Sequence, residues 1–488
     1  MSTDPPTTSQ VQAYRFVVRR MESALVRKDA VMLHEPMRRH LRATAVGVVL
    51  SMFGLVAFFI VGKFRPVSEL SVNEIIIGRP SQEIYVVQDN PRRLIPVRNL
   101  TSARLLLAAI SPGRQASEAK TVEDSTLAGV SRTQFTGIDG VPPLPAPENM
   151  IKGVWSVCDT AKVRSDLPDG QARPQLSTTV LVQDREPAGR VLGDEAALLA
   201  AEQDTGITYL VWRGQRERVD LVHDAAVRTY YRLGNVVPRK VSAGLLNAIP
   251  EGHPLTLPVI PAARPVPQLP GVQVGDVVRV KGVQDSFFLV LPQGVQSVQP
   301  AVADLLRYRH GASAEFTTVA PEAISRVPEV PVASQLDFAG FPTQVPQILK
   351  ITEAPVTCLT WQGPDQAPAV SVYPDGRLPL GAGDNPVELP PAATGQTADS
   401  AFLSPSKGSL ARGMVPGQRP DTGAIWLVTA QGFRYGVPSM DVARALGLGE
   451  ATSPAPESIL NLLPIGPTLD PQRALELYNP ALAQQTGR

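Results

Sequence analysis

Ile84 to Leu107 read IYVVQDNPRRLIPVRNLTSARLLL: an apolar strand, a turn at Asn90, a second strand, and an apolar helix opened by Asn99. Asn tolerates positive φ, which suits a hairpin turn. Asn99-Leu100-Thr101 also matches a glycosylation sequon, but an Asn before an apolar helical run reads first as an N-cap.

The same pattern recurs three times. TYLVWRGQRERVDLVHDAAVRTYYRLG starts at Thr208, FFLVLPQGVQSVQPAVADLLRYRHG at Phe287 and IWLVTAQGFRYGVPSMDVARALGLG at Ile425. Turn residues Asn90, Gly214, Gly294 and Gly432 are followed by Arg104, Arg228, Arg307 and Arg444 after 14, 14, 13 and 12 residues. Because the helix chemistry repeats along with the strands, this points to internal repetition. The copies are dispersed, so a tandem solenoid or propeller is not indicated.

Each cysteine sits between two copies. Cys158 follows Asn90 by 68 residues and Cys358 follows Gly294 by 64. The order repeat, core segment, repeat, then the same again suggests a duplication joined by the proline-rich stretch Pro250 to Gly271. Trp155 and Trp361 each stand three residues from a cysteine, so both rings are expected to pack on a bond near a pseudo-two-fold axis. Two free buried thiols remain the alternative at this point. Tyr373 to Pro420 is rich in Gly, Pro, Ala and Ser and reads as long loops.

Upstream, Ala43 to Gly62 (ATAVGVVLSMFGLVAFFIVG) carries no charge over twenty residues. A helix of that length spans the hydrocarbon of a bilayer. It is longer than a cleaved signal's apolar stretch and is expected to remain as an anchor. Arg27, Lys28, Arg38, Arg39 and Arg42 precede it, against Lys63, Arg65 and Arg79 after it, which places the N-terminus in the cytoplasm. The tail before it is expected to be an amphipathic helix that is capped by Ser9 with Gln12 and ends at Pro36. Its apolar stripe is Tyr14, Val17, Val18, Met21 and Leu25, flanked by Arg15 and Arg19. Such a stripe needs burial, on a partner's helices or on membrane lipid.

Composition bounds the rest. The chain has 488 residues with 48 prolines, and 46 Lys+Arg against 45 Asp+Glu give a net charge of +1, which provides no field for nucleic acid. No GK[ST] phosphate loop exists, since the only Gly-Lys pair, Gly62-Lys63, precedes Phe64. His34, His40, His223, His253 and His310 lack metal-ligand spacing. Ser404-Pro405-Ser406-Lys407 matches SxxK in a loop-like context without its usual partner motifs. No catalytic, cofactor or metal residue is expected.

The expected fold class is α+β. An amphipathic helix (1–42) and one transmembrane helix (43–62) precede an elongated exported domain of four dispersed ββα repeats around a β-rich core with pseudo-two-fold duplication. The boundaries are repeat 1 at 63–112, core at 113–202, repeat 2 at 203–249, linker at 250–271, repeat 3 at 272–312, core with low-complexity loops at 313–420, repeat 4 at 421–463 and a tail at 464–488.

The chain resembles the EccB family, the membrane-anchored core component of type VII (ESX) secretion systems of mycobacteria and their relatives. The resemblance rests on VQAYRFVVRRMESALVRKDAVMLHEP (Val11 to Pro36), the span, YVVQDNPRRLIPVRNLTSARLLL (Tyr85 to Leu107), WSVCDT (Trp155 to Thr160), LLNAIP (Leu245 to Pro250), CLTW (Cys358 to Trp361) and RYGVPSMDVARALGL (Arg434 to Leu448). It implies a Cys158–Cys358 disulfide and an inner-membrane location with a periplasmic C-terminal domain. It also implies assembly with the EccC motor ATPase, EccD, EccE, the mycosin protease and other EccB protomers. Some family members are labelled ATPases, so ATP is the alternative cofactor and ATP hydrolysis the alternative function. A periplasmic cell-wall-binding module is a third reading.

Overall fold

The computed structural model describes residues 7–28, 36–63, 70–113, 118–162, 175–260, 263–309, 315–391, 397–415, 418–419 and 421–476. The chain divides into two compact units, Met1–Leu70 and Ser71–Arg488.

Among its described residues the first unit contains two helices. Helix α1 (Thr8–Arg27) is capped at Thr7, whose N–H donates to Gln10 Oε1 at 2.9 Å, two residues upstream of the expected Ser9–Gln12 box. Helix α2 (Pro36–Lys63) starts at Pro36, where the missing N–H costs nothing. Its apolar window runs His40–Ile60 with mean hydropathy 2.3, and its side chains are exposed. That length and composition suffice to cross a bilayer.

The second unit opens on a module: β1 (Ile75–Arg79), β2 (Ile84–Gln88), β3 (Arg93–Val97), α3 (Leu100–Ile110), β4 (Lys120–Glu123) and α4 (Asp124–Leu127). Three strands meander, the helix crosses, and β4 returns parallel to β1, giving the order β3-β2-β1-β4. Central strands β5 (Val154–Lys162), β6 (Gln175–Gln183) and β7 (Arg190–Val191) follow. The second module is β8 (Ala196–Glu202), β9 (Thr208–Trp212), β10 (Gln215–Arg218), α5 (Ala225–Tyr230), β11 (Arg239–Val241) and α6 (Ala243–Ala248). The third is β12 (Val277–Val280), β13 (Ser286–Leu291), β14 (Gly294–Val298), α7 (Pro300–Arg309), β15 (Thr317–Val319) and α8 (Pro321–Ile324). After β16 (Gln347–Ile348), which pairs with β8, come central strands β17 (Val356–Trp361), β18 (Ala369–Tyr373), β19 (Val387–Glu388) and β20 (Ser400–Leu403). The fourth module is β21 (Gly408–Met414), β22 (Ile425–Thr429), β23 (Arg434–Val437), α9 (Met440–Leu446), β24 (Ser453–Pro456) and α10 (Glu457–Leu460), and α11 (Pro471–Ala474) closes the described chain.

All four modules share one strand order, so the repeating unit is βββαβα rather than ββα. The expected pattern began one strand late and stopped one strand and one helical turn early. Strands β4 and β8 lie in the segment expected to be core (113–202), and β15 and β21 in the second such segment (313–420), yet each completes a module sheet. The turn residues Asn90, Gly214, Gly294 and Gly432 all have positive φ, as the hairpins require.

A further element closes every module. After the last helical turn the chain runs back beside the third strand, parallel to it. Leu94 N–H donates to Ser131 O and Thr133 N–H to Leu94 O. Arg216 repeats this geometry with Pro250 and Gly252, Val295 with Pro328 and Val330, and Arg434 with Pro464 and Gly466, all at 2.8 to 3.0 Å. This strap covers an edge that would otherwise expose unpaired backbone groups. Proline serves at three of the four positions because only its carbonyl is used.

The straps redraw two expected connections. Pro250 to Gly252 belong to the second module, and Leu255 is fully buried. Val266, Leu269 and Val272 pack with Val278, Val290, Val295 and Val327 as a second core of the third module. Only the remainder of 250–271 can serve as a connection. Likewise, Tyr373 to Pro420 supplies β19, β20 and β21 and is no mere loop region. Of the expected tail 464–488, Pro464 to Gly466 form a strap and α11 packs on α3, while 477–488 lie outside the described residues.

Modules pair through their helices, first with fourth (α3 on α9) and second with third (α5 on α7). One core joins Ile75, Leu105 and Leu106 to Leu427, Tyr435 and Leu446; another joins Leu210, Trp212 and Val227 to Leu289, Val302 and Leu306. The central sheet, β19-β20-β6-β5-β17-β18-β7, holds one face against the second and fourth modules. There Trp155, Val157 and Leu359 meet Leu245 and Leu246 of α6 and Ile459 and Leu460 of α10.

Candidate interaction surfaces and the central disulfide

Strands β5 and β17 are antiparallel neighbours at the middle of the central sheet, and their register sets Cys158 opposite Cys358. The Cα atoms are 4.0 Å apart and the sulfurs are bonded. Such proximity is available at a directly opposed pair. Both residues are fully buried, among Leu181, Val356, Tyr373 and Phe402. The bond closes a loop of sequence separation 200 that contains the second and third modules whole.

The tryptophans do not pack on it. Trp155 is opposite Trp361, but each lies an odd number of residues from its cysteine, and side chains alternate between faces of a strand. The rings therefore sit in the core shared with the second and fourth modules, and the sulfurs lie on the other face. Tyr373 and Phe402 supply the aromatic neighbours instead. Burial and nearby Glu186 push the Tyr373 hydroxyl up to about 12, which keeps it neutral.

A buried polar cluster joins the central sheet to the second module. Asp159 accepts from Ser242 N–H at 2.7 Å, Ser242 Oγ at 2.8 Å and Thr178 Oγ1 at 2.8 Å. Ser242 in turn caps α6 through Leu245 N–H at 3.0 Å. Burial raises the Asp159 carboxyl's pKa, while these bonds and Arg239 oppose the shift. Arg239 is 6% exposed, its Nε and Nη1 have no bonded partner, and burial lowers its pKa to about 10.

The repeated arginines serve different ends. Arg104 reaches across the module pair to Leu446 O at 2.9 Å. Arg228 folds back to Leu221 O at 2.6 Å. Arg307 and Arg444 pair with Asp304 at 3.1 Å and Asp441 at 2.9 Å, one helical turn away. Asn99 is the cap of α3, accepting from Ser102 N–H at 2.7 Å.

On α1, Tyr14, Val17, Met21 and Leu25 are exposed and Val18 is half-buried. At 100° per residue they fall within a stripe of roughly 120°. Val11, at 37% exposure, belongs to the same stripe and was missed, although it precedes Tyr14 by three residues. Arg15 and Arg19 are exposed at its margin.

Other candidates resolve into local contacts. Lys407 pairs with Asp184, and Ser404 closes a turn by accepting from Lys407 N–H at 3.1 Å. His223 bonds Asp220 at 2.9 Å and His253 bonds Asp337 at 3.1 Å; His34 and His310 lie outside the described residues. No three His, Cys, Asp or Glu side chains converge among the described residues. The straps carried a signal that went unread: Ile249-Pro250, Val327-Pro328 and Leu463-Pro464 recur after the last helix of three modules, each with a buried apolar residue before the proline.

One helix long and apolar enough to cross a membrane and a disulfide-closed sheet carrying paired modules define the class, a multimodular protein with a candidate membrane span. The comparisons narrow it further. Residues 3–479 match the family described as type VII secretion system ESX-1, transport TM domain B. The chain is 33% identical to the ESX-3 secretion system ATPase EccB3 of Mycolicibacterium smegmatis (strain ATCC 700084 / mc(2)155), covering 97% of this chain and 91% of that one. It is 30% identical to the ESX-1 secretion system ATPase EccB1 of Mycolicibacterium smegmatis (strain MKD8), covering 96% and 94%. A chain of an intact ESX-5 inner membrane complex superposes with TM-score 0.70 at 28% identity, covering 98% of this chain and 97% of that one. A chain of the EccB3 dimer from the ESX-3 core complex superposes with TM-score 0.67 at 29% identity, covering 83% and 100%. The chain belongs to the EccB family of type VII secretion systems.

Proposed function

We propose that this chain is a structural scaffold subunit of a type VII (ESX) secretion membrane complex. The carrying observation is the likeness, over nearly its full length, to a chain of an intact ESX-5 inner membrane complex. In this reading α1 is cytoplasmic and docks its apolar stripe on the motor and channel subunits, the EccC ATPase, EccD and EccE. Helix α2 anchors the chain in lipid, and the four modules meet other EccB protomers and the mycosin protease in the periplasm. The basic flank before the span supports that orientation.

The paired contacts support a duplication. Exchanging first with third and second with fourth modules maps the α3–α9 pair onto α7–α5 and Cys158 onto Cys358.

The scaffold reading gives the chain no cofactor of its own. ATP hydrolysis draws on the relatives' names alone, since the sequence offers no GK[ST] loop to cradle phosphates. The test is affinity purification of the full chain from membranes in mild detergent. A large assembly containing the hexameric motor is expected, and a chain that elutes alone overturns the reading. Phosphate release that survives removal of the motor and is lost on mutating this chain would establish the enzyme instead.

A further inference from the structure

The joint between the second and third modules is crossed by the segment from Leu336 to Pro342, held from several sides. Gln296 of β14 clasps the main chain of Leu336 twice, donating from Nε2 to its carbonyl at 2.7 Å and accepting its N–H at 2.8 Å. Tyr231, at the end of α5, donates to Pro342 O at 3.1 Å. Phe341 is buried in the core shared by the two modules.

Beneath this segment lies Glu217 of β10, 2% exposed and without an ion pair. Trp212 Nε1 donates to its Oε2 at 2.9 Å. Its carboxyl sits between two glycines: a Cβ on Gly252 would come within 3.1 Å of Oε1, and one on Gly340 within 3.5 Å. Gly340 also lies against His253, where a Cβ would meet the His253 main-chain oxygen at 2.9 Å, and His253 Nδ1 is 3.1 Å from Asp337 Oδ2. Glu217 below and the His253–Asp337 contact at the rim thus border one short segment.

We propose that the Leu336–Pro342 segment is a proton-responsive clasp, seated when Glu217 is neutral and released when it ionises. Protonation favours seating because a neutral carboxyl needs no water, whereas a buried carboxylate does. The other charged groups around Glu217 do not cancel this. Arg213 stacks on Trp212 and is paired with Asp194; Arg216 is paired with Glu251 of the strap; Tyr231 of α5 stays neutral, its hydroxyl pKa raised by burial. Burial holds the Glu217 carboxyl up at about 7, so the change falls near neutrality.

Hydrogen exchange of the full chain tests this, with rates corrected for intrinsic pH dependence and read at the amides of Leu336 and Phe341, which donate to Gln296 Oε1 and Phe338 O. If the open segment lets Glu217 ionise at its usual pKa, opening should rise roughly 30-fold between pH 5.5 and 8.5. Glu217→Gln should abolish most of that rise. Equal protection at both pH values in the unmodified chain overturns the proposal. So does an undiminished rise in Glu217→Gln or, should that variant not fold, a rise whose midpoint is not moved upward by Trp212→Phe, which removes the bond to Oε2.

Discussion

Trp155 stands directly across from Trp361 on neighbouring strands, yet on the opposite face of the sheet from the Cys158–Cys358 bond. The centre of the protein therefore has two separate fastenings. One face is stapled covalently, and the other is an apolar core shared with the second and fourth modules.

Replacing both cysteines by serine removes only the staple. The chain-entropy model gives about 5 kcal/mol for so long a loop. Chemical denaturation should show a loss of that order, with the circular-dichroism spectrum of the native state unchanged. A loss under 1 kcal/mol would mean that the modules constrain the unfolded chain without the bond.

Asp159 and Arg239 should respond unequally. Asp159→Ala strands Ser242 N–H, two hydroxyls and the Arg239 charge, and should cost about 3 kcal/mol or more. Arg239→Met removes a buried cation whose Nε and Nη1 bond to nothing but leaves the buried Asp159 without its nearby positive charge, and should cost less than Asp159→Ala because no hydrogen bond is lost. Denaturation midpoints at fixed slope decide between them.

Glu217 sets a pH dependence whose sign is fixed. Its folded pKa of about 7 lies above the unfolded value, so the folded chain holds the proton more tightly. Stability should be highest below about pH 4.5, fall through the interval up to about pH 7, and then level off. Glu217→Gln should flatten that fall and gain up to about 3 kcal/mol at pH 8, read by denaturation across the range.

Of the helical arginines, Arg104 should matter most. Arg104→Ala removes a bond between paired modules and should cost about 1 to 3 kcal/mol. Arg444→Ala breaks an exposed pair within one helix and should change stability by less than about 0.5 kcal/mol. Thermal melts of the two variants side by side check the contrast.

If α1 docks on partner subunits as proposed, glutamate at Val17 and Met21 should abolish co-purification with them while leaving the melting of the four modules unchanged. Both side chains are exposed and support no core of their own. Normal assembly of that variant would show that α1 is not the docking helix.

The sequence made the hairpins legible because positive φ restricts residue choice: Asn90, Gly214, Gly294 and Gly432 all sit where they were expected. The helices were legible from Asn99 and from their apolar spacing. Strands β4, β11, β15 and β24 were not, being three or four residues long and paired with a strand far upstream, which leaves no local period to detect. The tryptophans were misplaced because proximity in sequence was taken for proximity in space, when an odd spacing along a strand means opposite faces. The Glu217 cluster was invisible because its members come from three separate segments.

The pairing of the first module with the fourth has a consequence for biogenesis. Leu446, which receives the bond from Arg104, is made 342 residues later. The second and third modules follow one another closely and can dock while synthesis continues, but the inner face of α3 must wait for nearly the whole chain. A truncated or stalled product would keep Leu105, Leu106 and Leu107 uncovered, a mark by which proteases and chaperones can tell it from a finished subunit.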